Sequence, residues 1–257
     1  ADAARAFPVA ELAESRPGYF EQDPRHWREA AFGAVTQAVN RLKNAGHSAE
    51  EIAALSVTST SGTMCLVDAR GEPIGSAIMY SDARSSGVAE QVQAAGAAIA
   101  DKLGSRFNAS FALSKLYWVQ SFEPERLAQA RWFLSPTDLV IGWLSHEWGI
   151  TDWTNALKWG YDVADLAWPD FIAHELGLDV GKLPQVQAPG SPIGLVTSRA
   201  AAETGLAPNT PVVAGSTDGT ASQLASGAVD VGDWNSTLGT TLVLKGVSRT
   251  LLRDPLG

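Results

Sequence analysis

One carboxylate in this 257-residue chain sits where chemistry is easy to do. Asp218 lies in Gly215-Ser216-Thr217-Asp218-Gly219, directly after the short apolar run 211–214. Pro and Gly bound that run, which predicts a buried strand. The carboxylate then falls at a strand's C-terminal end, where open α/β sheets place ligands. Small neighbours let a substrate hydroxyl approach, and a carboxylate in that position can orient the hydroxyl and accept its proton. The same residue in a Gly/Ser/Thr loop also serves as a turn former or helix N-cap. Farther on, Leu238-Gly239-Thr240-Thr241 separates two predicted strands, 233–237 and 242–247. Such a turn offers backbone N–H groups and hydroxyls to a phosphate. Taken alone, a Gly-Thr hairpin turn is common.

The elements that must position these groups follow from periodicity and punctuation. Small residues over 220–227 predict a helix able to pack closely on the sheet. A long helix is predicted from Pro24 to about residue 46, with Asp23 as N-cap and Pro24 at its first position. Trp27, Ala31, Ala34, Val35, Ala38 and Leu42 recur along it at helical spacing. A strand over 52–58 leads into the polar stretch 59–63, and a second strand over 65–68 ends in a turn at 68–72. Residues 73–80 run on into Ser81-Asp82-Ala83-Arg84, which reads as a surface ion pair of little energetic weight. Helical patterns cover 86–105, 111–119, 139–144, 168–178 and 197–205, with a strand at 131–134. Lys115 falls inside an otherwise apolar helix and so needs a partner or a cavity. The alternation of strand and helix supports an α/β fold.

Composition excludes several classes. With 28 acidic and 19 basic residues the net charge is −9, which disfavours nonspecific binding to nucleic acid or an anionic membrane. Phosphate remains open as a ligand, because backbone dipoles hold it without net positive charge. Cys65 is the one cysteine, so no intrachain disulfide forms and a reducing, cytoplasmic setting is expected. Residues 1–8 lack the apolar core of a signal peptide, and no apolar run approaches ~20 residues, the length of a membrane span. The nine tryptophans are first of all packing residues. His26, His47, His146 and His174 share no metal-ligand spacing with one another or with Cys65, so no metal site is expected on the chain.

In this order and spacing, Asp218 and Thr237-Leu238-Gly239-Thr240 resemble the FGGY family of carbohydrate kinases. There a catalytic aspartate is followed by a phosphate-binding Ser/Thr-Leu-Gly-Thr turn. The resemblance extends to Pro17-Gly18-Tyr19-Phe20-Glu21-Gln22-Asp23-Pro24 entering a Trp-bearing helix, and to the Lys-x-x-Trp helix at Lys115 and Trp118. It covers nearly the whole chain. Thr151-Asp152-Trp153-Thr154-Asn155-Ala156-Leu157-Lys158, Ser216-Thr217-Asp218 and Leu242-Val243-Leu244-Lys245 are similar to the cyanobacterial and plant branch associated with D-ribulose. Xylulokinases carry Gln-Met-His-Gly in the first loop, whereas the matching stretch here is Gly62-Thr63-Met64-Cys65, which argues against a plain D-xylulose kinase.

The resemblance implies a ribonuclease-H-like (actin-like ATPase) α/β fold and ATP-dependent phosphorylation of a ketose, a pentulose such as D-ribulose, at its terminal hydroxyl. Asp218 is then the catalytic base. Thr63, Met64, Asp82, Arg84, Asp152 and Asn155 are the implied substrate contacts, the last two being equally well turn and cap residues. Gly239, Thr240 and Thr241 cradle the phosphate of ATP, with Mg²⁺ neutralising its charge. The implied partners are the sugar and ATP, with a homodimer as a possible assembly. The expected layout is a sugar-binding domain over 1–227, lacking the family's Asp-x-Gly-Thr strand, and the start of the ATP-binding domain over 228–257. A chain of this extent alone is expected to bind sugar weakly and transfer nothing. The rivals are a catalytically silent sugar-binding or regulatory protein on the same fold, a kinase for D-xylulose or a polyol, and a hydrolase pairing Asp218 with Asp82.

Overall fold

Helix α1 (Pro24–Asn44) starts where a cap and a proline put it: the Asp23 side chain accepts from the Arg25 N–H, and Pro24 supplies a preset φ. The computed structural model describes residues 1–7, 16–238 and 242–252. Before α1, the two-residue strand β1 (Glu21–Gln22) pairs antiparallel with β4 (Ala77–Ile78). Between them come β2 (Thr58–Ser59) and β3 (Cys65–Val67). Then follow α2 (Ser86–Ala95), α3 (Ala97–Leu103), α4 (Ala112–Phe122) and α5 (Pro124–Gln129). β5 (Trp132–Leu134) returns antiparallel onto β3, and α6 (Pro136–Ser145) follows it immediately.

The remaining chain runs through β6 (Ile150–Asp152), α7 (Trp153–Ala156) and α8 (Phe171–His174). Then come β7 (Gln185–Gln187), parallel to β6, and β8 (Pro192–Leu195), antiparallel to β9 (Pro211–Val213). Helix α9 (Ser198–Thr204) joins these two. β10 (Ser216–Thr217) lies parallel to β2, and its last residue is also the N-cap of α10 (Asp218–Ala225). A hairpin of β11 (Trp234–Leu238) and β12 (Leu242–Gly246) ends the described chain, with Trp234 opposite Gly246.

Three apolar clusters fill this frame. One gathers Leu66, Leu113, Leu116, Phe133, Trp159 and Ile172 below α4. A second joins α1 to α6, α9 and β9 through Phe32, Val39, Ile141, Leu144, Ala200 and Val212. The third holds Trp27, Cys65, Val67, Leu134 and Leu139. Leu139 on α6 is 0% exposed, and each such side chain contributes about 1.5–3 kcal/mol of burial. Burial also pushes the Cys65 thiol up, leaving a neutral, inert packing group.

Several predicted elements shift in extent. The strand expected over 52–58 is regular only at Thr58–Ser59, with Leu55 bridging to Val212. Its thinness follows from pairing on one side only among the described residues. The helix expected over 86–105 breaks at Gly96, where a Cβ would lie 2.5 Å from Phe107 and 2.8 Å from Phe171. That over 168–178 shrinks to Phe171–His174, although Leu176 and Leu178 stay buried. The small-residue helix begins at Asp218 rather than 220, because the Thr217 hydroxyl caps it.

Candidate active site

Two strands carry the site. β2 and β10 run parallel, with Thr58 opposite Ser216 and Ser59 opposite Thr217. Their C-terminal ends therefore coincide, bringing the 59–63 loop beside Asp218. Gly215 permits the approach, because a Cβ there would overlap the Val57 carbonyl oxygen. Asp218 is exposed, in the first turn of α10, and its carboxylate accepts the Gly219 N–H at 2.6 Å. The first-turn position adds the favourable field of the helix N-terminus to a negative charge. Lys245 on β12 donates to the Gly219 carbonyl, tying the hairpin to that turn.

A cavity of about 330 Å³ opens beside this point. Ser61 lines it from the first loop, Thr154 and Lys158 from the α7 region, and Thr217 and Thr220 from the two sides of Asp218-Gly219. Trp153, Leu157 and Val163 complete its apolar wall. Lys158 has no ion pair among the described residues; its ammonium lies 4.0 Å from the Phe111 ring centroid and 3.4 Å from Ser110 Oγ. Burial lowers its pKa. Gly62 shapes the loop, combining φ +81° with an approach to the Ser110 carbonyl oxygen that leaves no room for a Cβ.

Asp152 and Asn155 serve this cleft from beneath. Both are 1% exposed. Asp152 caps α7, accepting from the Thr154 and Asn155 N–H groups at 2.8 and 3.1 Å, and from Asn155 Nδ2 at 2.6 Å. Thr154 Oγ1 donates to Asp152 at 2.6 Å and accepts the Thr217 N–H at 2.9 Å. One hydroxyl thus links the capping carboxylate to the residue before Asp218. Both residues, expected to contact sugar, are enclosed by protein here, with Asn155 Oδ1 left without a hydrogen-bond partner among the described residues.

The first-loop set is buried as well. The Asp82 and Arg84 side chains are 0% and 1% exposed, not a surface pair. Arg84 Nε and Nη2 donate to the two Asp82 oxygens at 2.9 and 2.8 Å, and Nη2 also reaches Glu21 at 2.6 Å. The guanidinium is stacked 4.2 Å from the Tyr19 centroid and 5.2 Å from that of Trp118. It welds the segment before α1 to α4 through Asp82, Glu21 and the two rings. Thr63 is fully buried, its hydroxyl accepting the Tyr80 N–H at 3.1 Å, and Met64 is 1% exposed in the core. Neither faces the cavity. Gly239, Thr240 and Thr241 lie outside the described residues. Ser61, Thr154, Lys158, Thr217 and Thr220 escaped selection from sequence. The one available signal was Lys158, a charge closing an otherwise apolar Trp-Thr-Asn-Ala-Leu run.

Two buried ionisable groups lie in the helices around the site, Lys115 on α4 and Asp138 on α6. Lys115 is 0% exposed, donates to the Ala109 carbonyl at 2.6 Å and has no ion pair among the described residues. Burial lowers its pKa to about 7. Ser59 Oγ accepts the Thr137 N–H at 3.1 Å, anchoring the β2 end to the first turn of α6. Beside it Asp138 is buried in the α6 capping box with Ser135, and burial raises its carboxyl to about 7.

Known proteins share this fold. Residues 4–225 match the N-terminal domain of the FGGY family of carbohydrate kinases. A xylulose kinase of Streptomyces coelicolor is 32% identical over 241 residues, 92% of this chain and 48% of that protein. That of Escherichia coli is 28% identical over 254 residues, 97% of this chain and 51% of that one. The crystal structure of xylulose kinase from Rhodospirillum rubrum superposes with a TM-score of 0.87 at 25% identity, covering 98% of this chain and 51% of that one. The chain spans about half the length of the relatives it matches. Its fold is the ribonuclease-H-like, actin-like fold of sugar kinases. Matched over most of its length, the chain belongs to the FGGY family of carbohydrate kinases.

Proposed function

We propose that the protein phosphorylates a pentulose at its terminal hydroxyl, with ATP as donor, and that Asp218 is the catalytic base. One observation carries the reading: Asp218 opens α10 at the shared C-terminal end of β2 and β10, beside a cleft of about 330 Å³ lined by hydroxyls and one ammonium. That volume is in the range of small-molecule sites. The exposed carboxylate orients the attacking hydroxyl and takes its proton, while Ser61, Thr154 and Lys158 hold sugar oxygens. Phosphoryl transfer has a loose transition state, so placing the hydroxyl in line is most of what these residues contribute. Gly239, Thr240 and Thr241 are the proposed phosphate cradle. Mg²⁺ accompanying ATP would neutralise phosphate charge, and no residue of this chain is assigned to it. We place the sugar-binding unit at 1–227 and the start of the nucleotide unit at 228–257.

D-xylulose is supported as acceptor by the names of the relatives. D-ribulose is a second reading, favoured by the segment from Thr151 to Lys158, which supplies the cleft's Thr154 and Lys158. A coupled ADP-release assay on the full-length protein decides, run with D-xylulose, D-ribulose, L-ribulose, glycerol and ribitol. Release that needs one pentulose and falls about 10²–10⁴-fold in Asp218→Ala is the expected result. Sugar binding without ADP release from folded protein would sink the kinase reading and put a silent binder in its place. Turnover that survives Asp218→Ala would remove Asp218 as base.

A further inference from the structure

The far end of α6 carries a second pocket, unrelated to the cleft. The first turn of α6 touches Ser59 at the cleft side, and its last residue, Ser145, is followed by His146 in a left-handed C-cap. Ten residues of helix separate the two ends by about 15 Å. Around His146 lies a pocket of about 300 Å³ walled by Arg25 and Arg28 of α1, Arg70 of the turn after β3, Arg199 of α9, and Trp148.

In a chain of net charge −9, four arginines from three separate elements line one pocket. Their own acidic partners do not account for them all. Arg28 and Arg199 share one carboxylate, Glu203, at 2.5 and 3.0 Å, so together they keep a surplus charge. Arg25 is paired with Asp23 at 2.6 Å. Arg70 has no ion pair among the described residues, and Glu72 is the one carboxylate lining the pocket. Arg28 is held rigid by stacking 4.4 Å from the Phe32 centroid. Trp148 is fixed as a wall, its indole packed so closely on Gly71 and Gly142 that neither could carry a Cβ. Planar guanidiniums match the oxygens of a phosphate two at a time.

We propose that this pocket binds a small phosphate-bearing anion, of the class of a phosphate monoester or diphosphate, at a site distinct from the Asp218 cleft. Surplus arginine charge, a rigid aromatic wall and room for a phosphate with a small organic body meet here. The proposal stands independently of the kinase reading, since it concerns binding alone.

Isothermal titration calorimetry of the full-length protein with inorganic pyrophosphate at low ionic strength tests it. The variants are Arg70→Ala and Arg199→Ala, with Arg131→Ala, outside the pocket, as control. Melting curves check each fold; Arg70 has no ion pair to lose among the described residues and the Arg199 side chain is 84% exposed, so both should melt as wild type. Saturable binding that weakens about tenfold in Arg70→Ala, again in the double variant, and stays unchanged in Arg131→Ala is the expected result. Absence of saturable binding overturns the proposal. So does affinity unaffected by Arg70→Ala and Arg199→Ala, which would place the anion in the cleft, or an equal loss in Arg131→Ala, which would mean diffuse surface charge. Citrate binding as tightly as pyrophosphate would overturn the phosphate preference.

Discussion

Thr154 is the residue on which the geometry around Asp218 turns. Its hydroxyl spends its proton on Asp152 and its lone pair on the Thr217 N–H, so Thr154→Val unties both at similar volume. We expect that variant to keep its fold and lose about tenfold in kcat/KM, because Asp218 is no longer held at one angle; steady-state kinetics with the accepted pentulose checks it. Lys115 and Asp138 set a pH signature instead. The folded pKa of Lys115, about 7, lies below its ordinary 10.5, so between those values the unfolded chain binds more protons and stability rises with pH. Asp138 shows the reverse: its folded value of about 7 lies above 3.8, the folded chain keeps the proton longer, and stability falls as pH rises through that window. Urea melts should show the rise above pH 7 disappearing in Lys115→Met and the acid-side fall flattening in Asp138→Asn. Unchanged slopes in both variants would mean these groups are not buried as described.

At the scale of elements, the β2–β10 pair is the feature most sensitive to a small change. It is only two residues long on each side, and Gly215 lets it close. Gly215→Ala drives a methyl into the backbone oxygen of Val57, which cannot swing away as a side chain could. The expected cost is about 1–3 kcal/mol, together with a weakened hold on sugar as the 59–63 loop parts from α10. Thermal melting and sugar titration of one preparation read both; an unshifted melting temperature would show that the strands separate without cost. Helix α6 has the complementary character. It joins cleft and arginine pocket through one largely buried rod, with Leu139 and Ile141 in the core.

For the whole molecule, the β11–β12 hairpin stands apart. Trp234, Leu238, Leu242 and Leu244 are 58–83% exposed, and Lys245 to Gly219 is its described hydrogen bond back to the body. Ending the chain after Gly227 should therefore shift the melting temperature by no more than about 2 °C, consistent with a boundary of units near that residue. A loss of cooperative unfolding on truncation would instead make the hairpin part of the first unit's core. Among the described residues no helix is long and apolar enough to cross a membrane.

Local chemistry alone was enough for the cap of α1 at Asp23, the helix opened by Thr197, the hairpin strands, and Asp218 at the end of a strand, because caps, prolines and periodicity act over a few residues. The family, too, was legible from short motifs at fixed spacing. Burial decided the rest. Asp82 and Arg84, near neighbours in sequence, look like a solvated pair until Tyr19, Glu21 and Trp118 enclose them from distant segments. The burial of Asp152 and Asn155, and the link of Thr154 to Thr217, 63 residues on, likewise come only from the tertiary fold. Long-range contacts alone bring Ser61, Lys158 and Thr220 to one cavity, or four arginines to one end of α6. Sequence determined which residues could do chemistry; the tertiary structure determined which of them keep a free polar group facing a cavity with which to do it.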